Sequence, residues 1–236
     1  MENALRADSA SPLYRQLMQR IRADIASGYY PVHTRIPSEA ELGEKYRVSR
    51  VTVRKALAEL TAEGLLRRMQ GKGTYVCAPR LKSNLREITS FHASCRMMGC
   101  KPGAKVISAQ LIPAEAPLKE ALALTEDDAV EIIRLRTADG EPVMLETNRF
   151  PMSYAFLLDS DQTGSLYHLL GQRGIEAASG VHEISLCYAT AQQARLLGVE
   201  IGAALLRLDQ VVYDQHGVPL HTSHQVIRGD RFTFRI

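Results

Sequence analysis

Of 236 residues, 45% are hydrophobic and 23% charged, close to ordinary globular usage, which excludes collagen-like, disordered and disulfide-scaffold classes. At about 100–200 residues per domain the length fits one large domain or two modest ones; no apolar run approaches the roughly 18 residues of a membrane span, and the opening MENALRADSASPLYRQ lacks a signal peptide's apolar core, so a cytoplasmic protein with no membrane partner is expected. The net charge of +3 divides unevenly, since residues 1–80 carry 14 basic and 8 acidic side chains and residues 81–236 carry 15 and 18: either a basic head for a polyanion or an ordinary solvated surface, joined to a mildly acidic body.

The first element begins at Ser11-Pro12, read as an N-cap with Pro at the first helical position, and Leu13, Leu17, Ile21 and Ile25 then recur every four residues until Gly28. Pro31 to Pro37 reads as a loop. Ser38 caps a short helix over about 39–46, with Glu41 at capping-box spacing. Arg47-Val48 makes a tight connection, and Ser49 caps a third helix whose Val53, Ala56, Leu57 and Leu60 share one face before Gly64. Two helices joined so tightly are a helix-turn-helix pattern.

In the third helix Arg50 and Arg54 lie one turn apart on one face, with Ser49, Val51 and Thr52 at the N-terminal end by which a recognition helix enters the major groove. Two short strands, 65–69 and 74–77, then flank Gln70-Gly71-Lys72-Gly73, a hairpin whose tip can lie along the minor groove or a phosphate. Helical arginines alone are ordinarily a solvated face, and a Gly-Lys-Gly tip is ordinarily only a turn. The order of the pieces is what points to double-stranded DNA as partner. Residues 12–78 resemble the winged helix-turn-helix of the GntR superfamily through PLYRQLMQRIRADIASG, IPSEAEL, VSRVTVRKALAELTAEGLL and QGKGTYV. That resemblance implies that Arg50, Val51, Thr52, Arg54, Gln70 and Gly71 approach DNA. Many relatives have an arginine in the second helix where this chain has Ala40, so that contact is absent here.

Residues 79–84 mix proline, basic and polar residues without periodicity, and are expected to link a DNA-binding domain over 1–78 to a second domain over 85–236. There, a short strand and a helix are expected within 85–98, closed by Gly99 and a Lys101-Pro102-Gly103 turn, followed by a strand over 106–112 and a short helix over 117–124. Residues 129–137, the turn Asp139-Gly140-Glu141-Pro142 and 143–150 form a hairpin. A helix over 164–171, a strand within 175–189, a helix over 190–197 and a second hairpin of 205–213 with 218–227 complete the pattern. EIIRLR and DGEPV are echoed by LLRL and QHGVP about 75 residues later, a duplicated strand-hairpin unit in one antiparallel sheet. Helices over such an α+β sheet leave a crevice for a small ligand.

Arg134 and Arg136 point to the same side of a strand. Two adjacent guanidiniums repel unless an anion lies between them, and a phosphate or carboxylate fits; a surface pair bridged to Glu131 or Glu146 is the alternative. Ser165 and Tyr167 at a helix start suit an anion or an ordinary cap. Cys77, Cys95, Cys100 and Cys187 include no C-x-x-C pair and read as reduced, mostly buried residues. His221 and His224 stand three apart on a strand and face opposite ways, so no metal site is expected.

Residues 85–236 resemble the effector-binding (UTRA) domain of HutC-type GntR regulators through Thr89-Ser90-Phe91, the R-x-R, DGEPVMLETNRFP, GSLYHLL and RGDRFTF. The resemblance implies a chorismate-lyase-like α+β fold in which Ser90, Phe91, Arg134, Arg136, Ser165 and Tyr167 line a pocket and hold phosphate. Glu146 and the last hairpin would hold the polar body of the ligand. His221 stands where many relatives have a glutamate and Ile227 where many have a tyrosine, a departure at the amino-sugar end of the pocket. The whole implies a transcriptional regulator, a repressor acting as a homodimer on operator DNA and controlled by a small anionic effector such as a sugar phosphate. No enzyme activity, cofactor or metal is expected, since no nucleophile elbow, metal set or paired catalytic carboxylates stand at a recognisable spacing. An enzyme on this fold would turn over a bound metabolite, and an architectural DNA binder would respond to none.

Overall fold

The computed structural model describes residues 5–6, 10–78, 80–84 and 88–235, apart from the side chains of residues 82 and 83. The chain divides into two compact units, Met1–Arg80 and Leu81–Ile236. Among the described residues no helix is long and apolar enough to cross a membrane.

The first unit holds α1 (Leu13–Ala26), α2 (Glu39–Tyr46), α3 (Arg50–Ala62) and a hairpin of β1 (Leu66–Met69) and β2 (Gly73–Val76). Leu17 and Ile21 of α1, Leu42 and Tyr46 of α2, and Val53, Ala56 and Leu60 of α3 are fully buried together, as the helical spacing predicts. The start of α1 corrects the sequence reading. Pro12 is itself the N-cap, with φ −56° and no side-chain cap bond, and its carbonyl accepts from the Arg15 and Gln16 N–H groups. The capping box of α2 is complete: Ser38 Oγ accepts from the Glu41 N–H, and the Glu41 carboxylate from the Ser38 N–H. Arg47 turns the chain into α3 in the left-handed region at φ 54°, a conformation that costs an L-residue about 1–2 kcal/mol and so marks a constrained turn. The Val48 N–H returns to the Gly43 carbonyl at 3.0 Å.

The second unit is built on a six-stranded antiparallel sheet in the order β4-β5-β6-β9-β8-β7. Its elements are β3 (Leu81–Asn84), α4 (Phe91–Met97), β4 (Pro102–Pro113), α5 (Ala116–Leu122), β5 (Asp128–Ala138), β6 (Glu141–Phe150), a 3-10 segment Met152–Asp159, α6 (Leu166–Gly171), β7 (Ala177–Tyr188), α7 (Ala191–Leu197), β8 (Ala204–Asp214), β9 (Pro219–Ile227) and β10 (Phe232–Arg235). Three sequence expectations need correction. Residues 81–84 are not a linker but a strand, pairing in parallel with β10 and burying Leu81. The partner lies at the far end of the chain, so no local pattern announces it. Pro79 and the short strand expected from residue 85 lie outside the described residues, at least in part. Pro102 and Gly103 are not a turn but open β4, where Gly103 packs so closely on Thr137 that a Cβ would come within 2.5 Å of its Oγ1. Of the four cysteines only Cys95 is buried; the other three are half-buried.

The internal echo is larger than a hairpin. The order α4-β4-α5-β5-β6 recurs as α6-β7-α7-β8-β9, and the starts of α6, β7 and α7 each fall 75 residues after those of α4, β4 and α5. The two repeats join through β6 and β9 at the sheet centre. Side chains alternate between the faces of these strands. One face packs Leu135, Leu145 and Val226 against Ala194 and Leu197 of α7. On the other, a cluster around Cys95 of α4 and a cluster around Leu166 and Leu170 of α6 flank a polar strip.

Candidate functional site

The first unit presents its expected DNA-facing residues at two places. Ser49 caps α3: its Oγ accepts the Thr52 N–H at 3.1 Å and lies 2.9 Å from Thr52 Oγ1, so both hydroxyls are engaged in starting the helix. Arg50 and Val51 follow on the exposed face, Val51 at 75% exposure, which no packing role explains. Gln70, Gly71 and Lys72 form the exposed hairpin tip, with Gly71 at φ 71° and the Lys72 N–H bonded to the Met69 carbonyl. Arg54 is exposed but engaged. Its Nε and Nη2 both donate to Glu39 Oε2 at 3.2 Å, while Arg68 Nη2 lies 3.3 Å from the other oxygen, Oε1. Sequence reasoning missed Glu39 and Arg68, because their meeting point depends on three separate elements.

In the second unit the polar strip floors a crevice open to solvent. Ser90, Phe91, Arg134, Arg136, Glu146, Ser165, Tyr167 and His221 all line it. Strand alternation explains the floor. Arg134 and Arg136 of β5, Glu146 and Asn148 of β6, and His221, Ser223 and Gln225 of β9 occupy alternate positions on one face. The two serines are caps of short helices, Ser90 Oγ accepting from the Ala93 N–H and Ser165 Oγ from the His168 N–H. His224 lies on the opposite face and pairs with Asp209.

The arginines differ in their partners. Arg134 Nη1 donates to the Gln162 and Gly164 carbonyls, and its Nη2 to Glu146 Oε2 at 2.6 Å. Of the two carboxylates open to it from sequence, Glu146 takes the bond; Glu131 instead accepts from Arg149. Arg136, 1% exposed, donates through Nη2 to His92 Nδ1 at 2.7 Å and lies over the Phe91 ring at 4.6 Å. Its Nε is 4.0 Å from Glu146, too far for a hydrogen bond. Arg134 Nε, Arg136 Nε and Nη1, and Asn148 Nδ2 are buried with no hydrogen-bond partner among the described residues.

The electrostatics leave one positive charge in excess. Burial pushes the Glu146 carboxyl up, but the Arg134 and Arg136 guanidiniums outweigh it and hold the group below the ordinary carboxylate value. Burial, reinforced by Arg134, pushes Arg136 down to about 10, so it stays charged at neutral pH. Burial and then Arg136 push His92 down to about 4, which leaves its Nδ1 free to accept. Burial also pushes His221 down to about 4. His221 Nδ1 lies 3.2 Å from the Thr222 carbonyl, which only an N–H can satisfy, so Nε2 accepts from the Tyr167 hydroxyl at 3.1 Å. The floor therefore offers hydroxyl and amide groups, two guanidiniums and one carboxylate already committed. His92 escaped sequence reasoning, whereas the period of two on β9 could have brought in Ser223 and Gln225.

Residues 13–76 match the family described as bacterial regulatory proteins, gntR family, and residues 97–233 match the UTRA domain. The HTH-type transcriptional repressor NagR of Bacillus subtilis is 33% identical over 229 residues, covering 96% of this chain and 94% of its own length. A probable fructoselysine utilization operon transcriptional repressor of Escherichia coli is 33% identical over 228 residues, covering 95% and 93%. The crystal structure of PhnF from Mycobacterium smegmatis superposes with a TM-score of 0.71 at 29% identity, over 94% of this chain and 97% of that one.

Proposed function

The chain belongs to the GntR family of bacterial regulatory proteins, as a HutC-type DNA-binding transcriptional regulator with a UTRA domain, and from that premise we propose a homodimeric repressor controlled by a small anionic effector. Residues 1–78 bind DNA and the second unit takes the effector. Arg50 and Arg54 read base edges, Ser49, Val51 and Thr52 sit at the groove, and Gln70, Gly71 and Lys72 set the wing against the backbone. Repression is supported by the names of NagR and the fructoselysine repressor.

The observation that carries the effector reading is the set of unpartnered N–H groups on Arg134 and Arg136 in a crevice one positive charge in excess. Each buried unpaired donor costs about 1–3 kcal/mol, and an anionic oxygen relieves several at once. Phosphate and carboxylate both match guanidinium geometry, so sugar phosphates and other small acids are the class. Ser90, Phe91, Ser165 and Tyr167 close the anionic end; Glu146, through Arg134, and His221 border the polar body. An effector changes operator affinity only by its difference in affinity for two states of the protein, about 1.4 kcal/mol for each factor of ten.

The homodimer reading rests on β7. This edge strand exposes Leu186 and Tyr188 on one face at 61% and 64% and Val181 on the other at 66%, and an exposed strand edge with apolar side chains is a template for pairing with a second chain. A two-fold dimer would read a pseudo-palindromic operator. The test is a thermal-shift screen of sugar phosphates, organic acids and phosphonates on the full chain, followed by operator-release assays with each hit. A hit that binds wild type and the Arg136→Met variant equally would sink the assigned site.

A further inference from the structure

We propose that Glu39 is a specificity-determining residue of the DNA-reading head: its carboxylate positions Arg54 of the recognition helix and Arg68 of the wing strand as a pair, and its charge restrains their attraction for phosphates of any sequence. One carboxylate bridges three elements. Oε2 accepts from Nε and Nη2 of Arg54, and Oε1 faces Arg68 Nη2 at 3.3 Å. The Arg54 and Arg68 side chains remain 64% and 69% exposed, whereas that of Glu39 is only 22% exposed. The carboxylate is thus the fixed member. It stands at the first position of α2, within the capping box that Ser38 and Glu41 form, where the helix dipole favours a negative charge.

A guanidinium has five N–H donors. Glu39 occupies part of each fork and leaves further donors on both exposed arginines. A free exposed arginine carries about 2 kcal/mol of rotamer entropy, and its loss on reading a base opposes bidentate recognition; a held arginine has already lost it. Held between two arginines that would face a bound duplex, the same carboxylate would also repel its phosphates. Repulsion there weakens binding to every sequence, and only a duplex whose bases complete the arginine contacts offsets it. Binding to unrelated DNA, which is nearly all electrostatic, bears the full penalty.

The test compares full-length wild type, Glu39→Ala, Glu39→Gln and Glu39→Asp on two duplexes over a salt series. One duplex is that selected by the wild-type chain from a random pool; the other is unrelated in sequence. For Glu39→Ala, binding to the unrelated duplex should strengthen several-fold with a salt slope steeper by about one. The ratio between the selected and unrelated duplexes should fall about tenfold or more, the scale of one bidentate contact. Gln keeps the reach without the charge and should strengthen unrelated binding; Asp keeps the charge without the reach and should lower the ratio without strengthening unrelated binding. Thermal midpoints should match wild type, because exposed ion pairs contribute little stability. Parallel weakening on both duplexes would make Glu39 merely structural, and unchanged ratios in all three variants would make it an inert surface pair; either overturns the proposal. Should Ala fail to fold, the Gln and Asp variants decide it alone.

Discussion

Arg134 and Glu146 stand directly opposite one another on β5 and β6, and Arg134 Nη2 donates to Glu146 Oε2 at 2.6 Å. Arg136, two residues along on the same face, makes no hydrogen bond to a carboxylate among the described residues and is held by His92 and Phe91 instead. One guanidinium is therefore neutralised and the other is not.

Removing Glu146 leaves both guanidiniums buried without a counter-charge. Glu146→Leu should destabilise the second unit by about 3–5 kcal/mol, the usual cost of breaking a buried pair on one side. Inorganic phosphate should raise the midpoint of this variant by more than that of wild type. An unchanged midpoint in thermal or urea unfolding would contradict the pairing.

Arg136 behaves in the opposite way. Its uncompensated burial makes Arg136→Met neutral or stabilising, since a desolvated charge is replaced by a side chain of similar volume. The variant should bind operator normally and no longer respond to anionic effectors, as read by thermal shift and mobility shift. Retained effector response with full amplitude would place the anion elsewhere.

On the DNA-binding head, Arg50→Ala or Arg54→Ala should cost about 1–3 kcal/mol of operator affinity and relax preference at a base position. Lys72→Ala should weaken all duplexes about equally and reduce the salt slope by about one. Effector binding should be spared in all three. Titration on two duplexes at several salt concentrations distinguishes these roles.

Acid should weaken the second unit before it protonates any exposed carboxylate. His92 and His221 are held near 4 in the fold against 6.5 when unfolded. The unfolded chain therefore takes up protons first, and stability falls as pH drops from 6.5 towards 4. For fully buried His221 the loss by pH 4 is on the order of 3 kcal/mol. Glu146, whose folded value lies below 4.5, extends the decline further down. Unfolding midpoints between pH 7 and 4 should show this slope, and His221→Asn should flatten it.

Leu186→Lys on β7 should favour the monomer and, with one half-site lost, lower operator affinity far more than a single base contact does. Sedimentation and operator titration should move together. A variant that stays dimeric with full affinity would rule out this edge.

The DNA-binding head was legible from local spacing. Caps at Ser38 and Ser49, the four-residue recurrence in α1, the apolar face of α3 and the glycine tip of the wing are short-range rules of backbone geometry, and each specifies its element without reference to the rest of the chain. The same holds for the period of two that puts Arg134 and Arg136 on one face, and for the internal echo. Choice of partner was not legible. That Arg134 takes Glu146 while Glu131 goes to Arg149, that Arg136 leans on His92, that residues 81–84 pair with the last strand, and that Arg54 and Arg68 share Glu39 all depend on how separate elements are set against one another. A charged side chain reaches several neighbours of similar chemistry, and only the folded packing decides which lies within 3 Å and which groups are left without a partner.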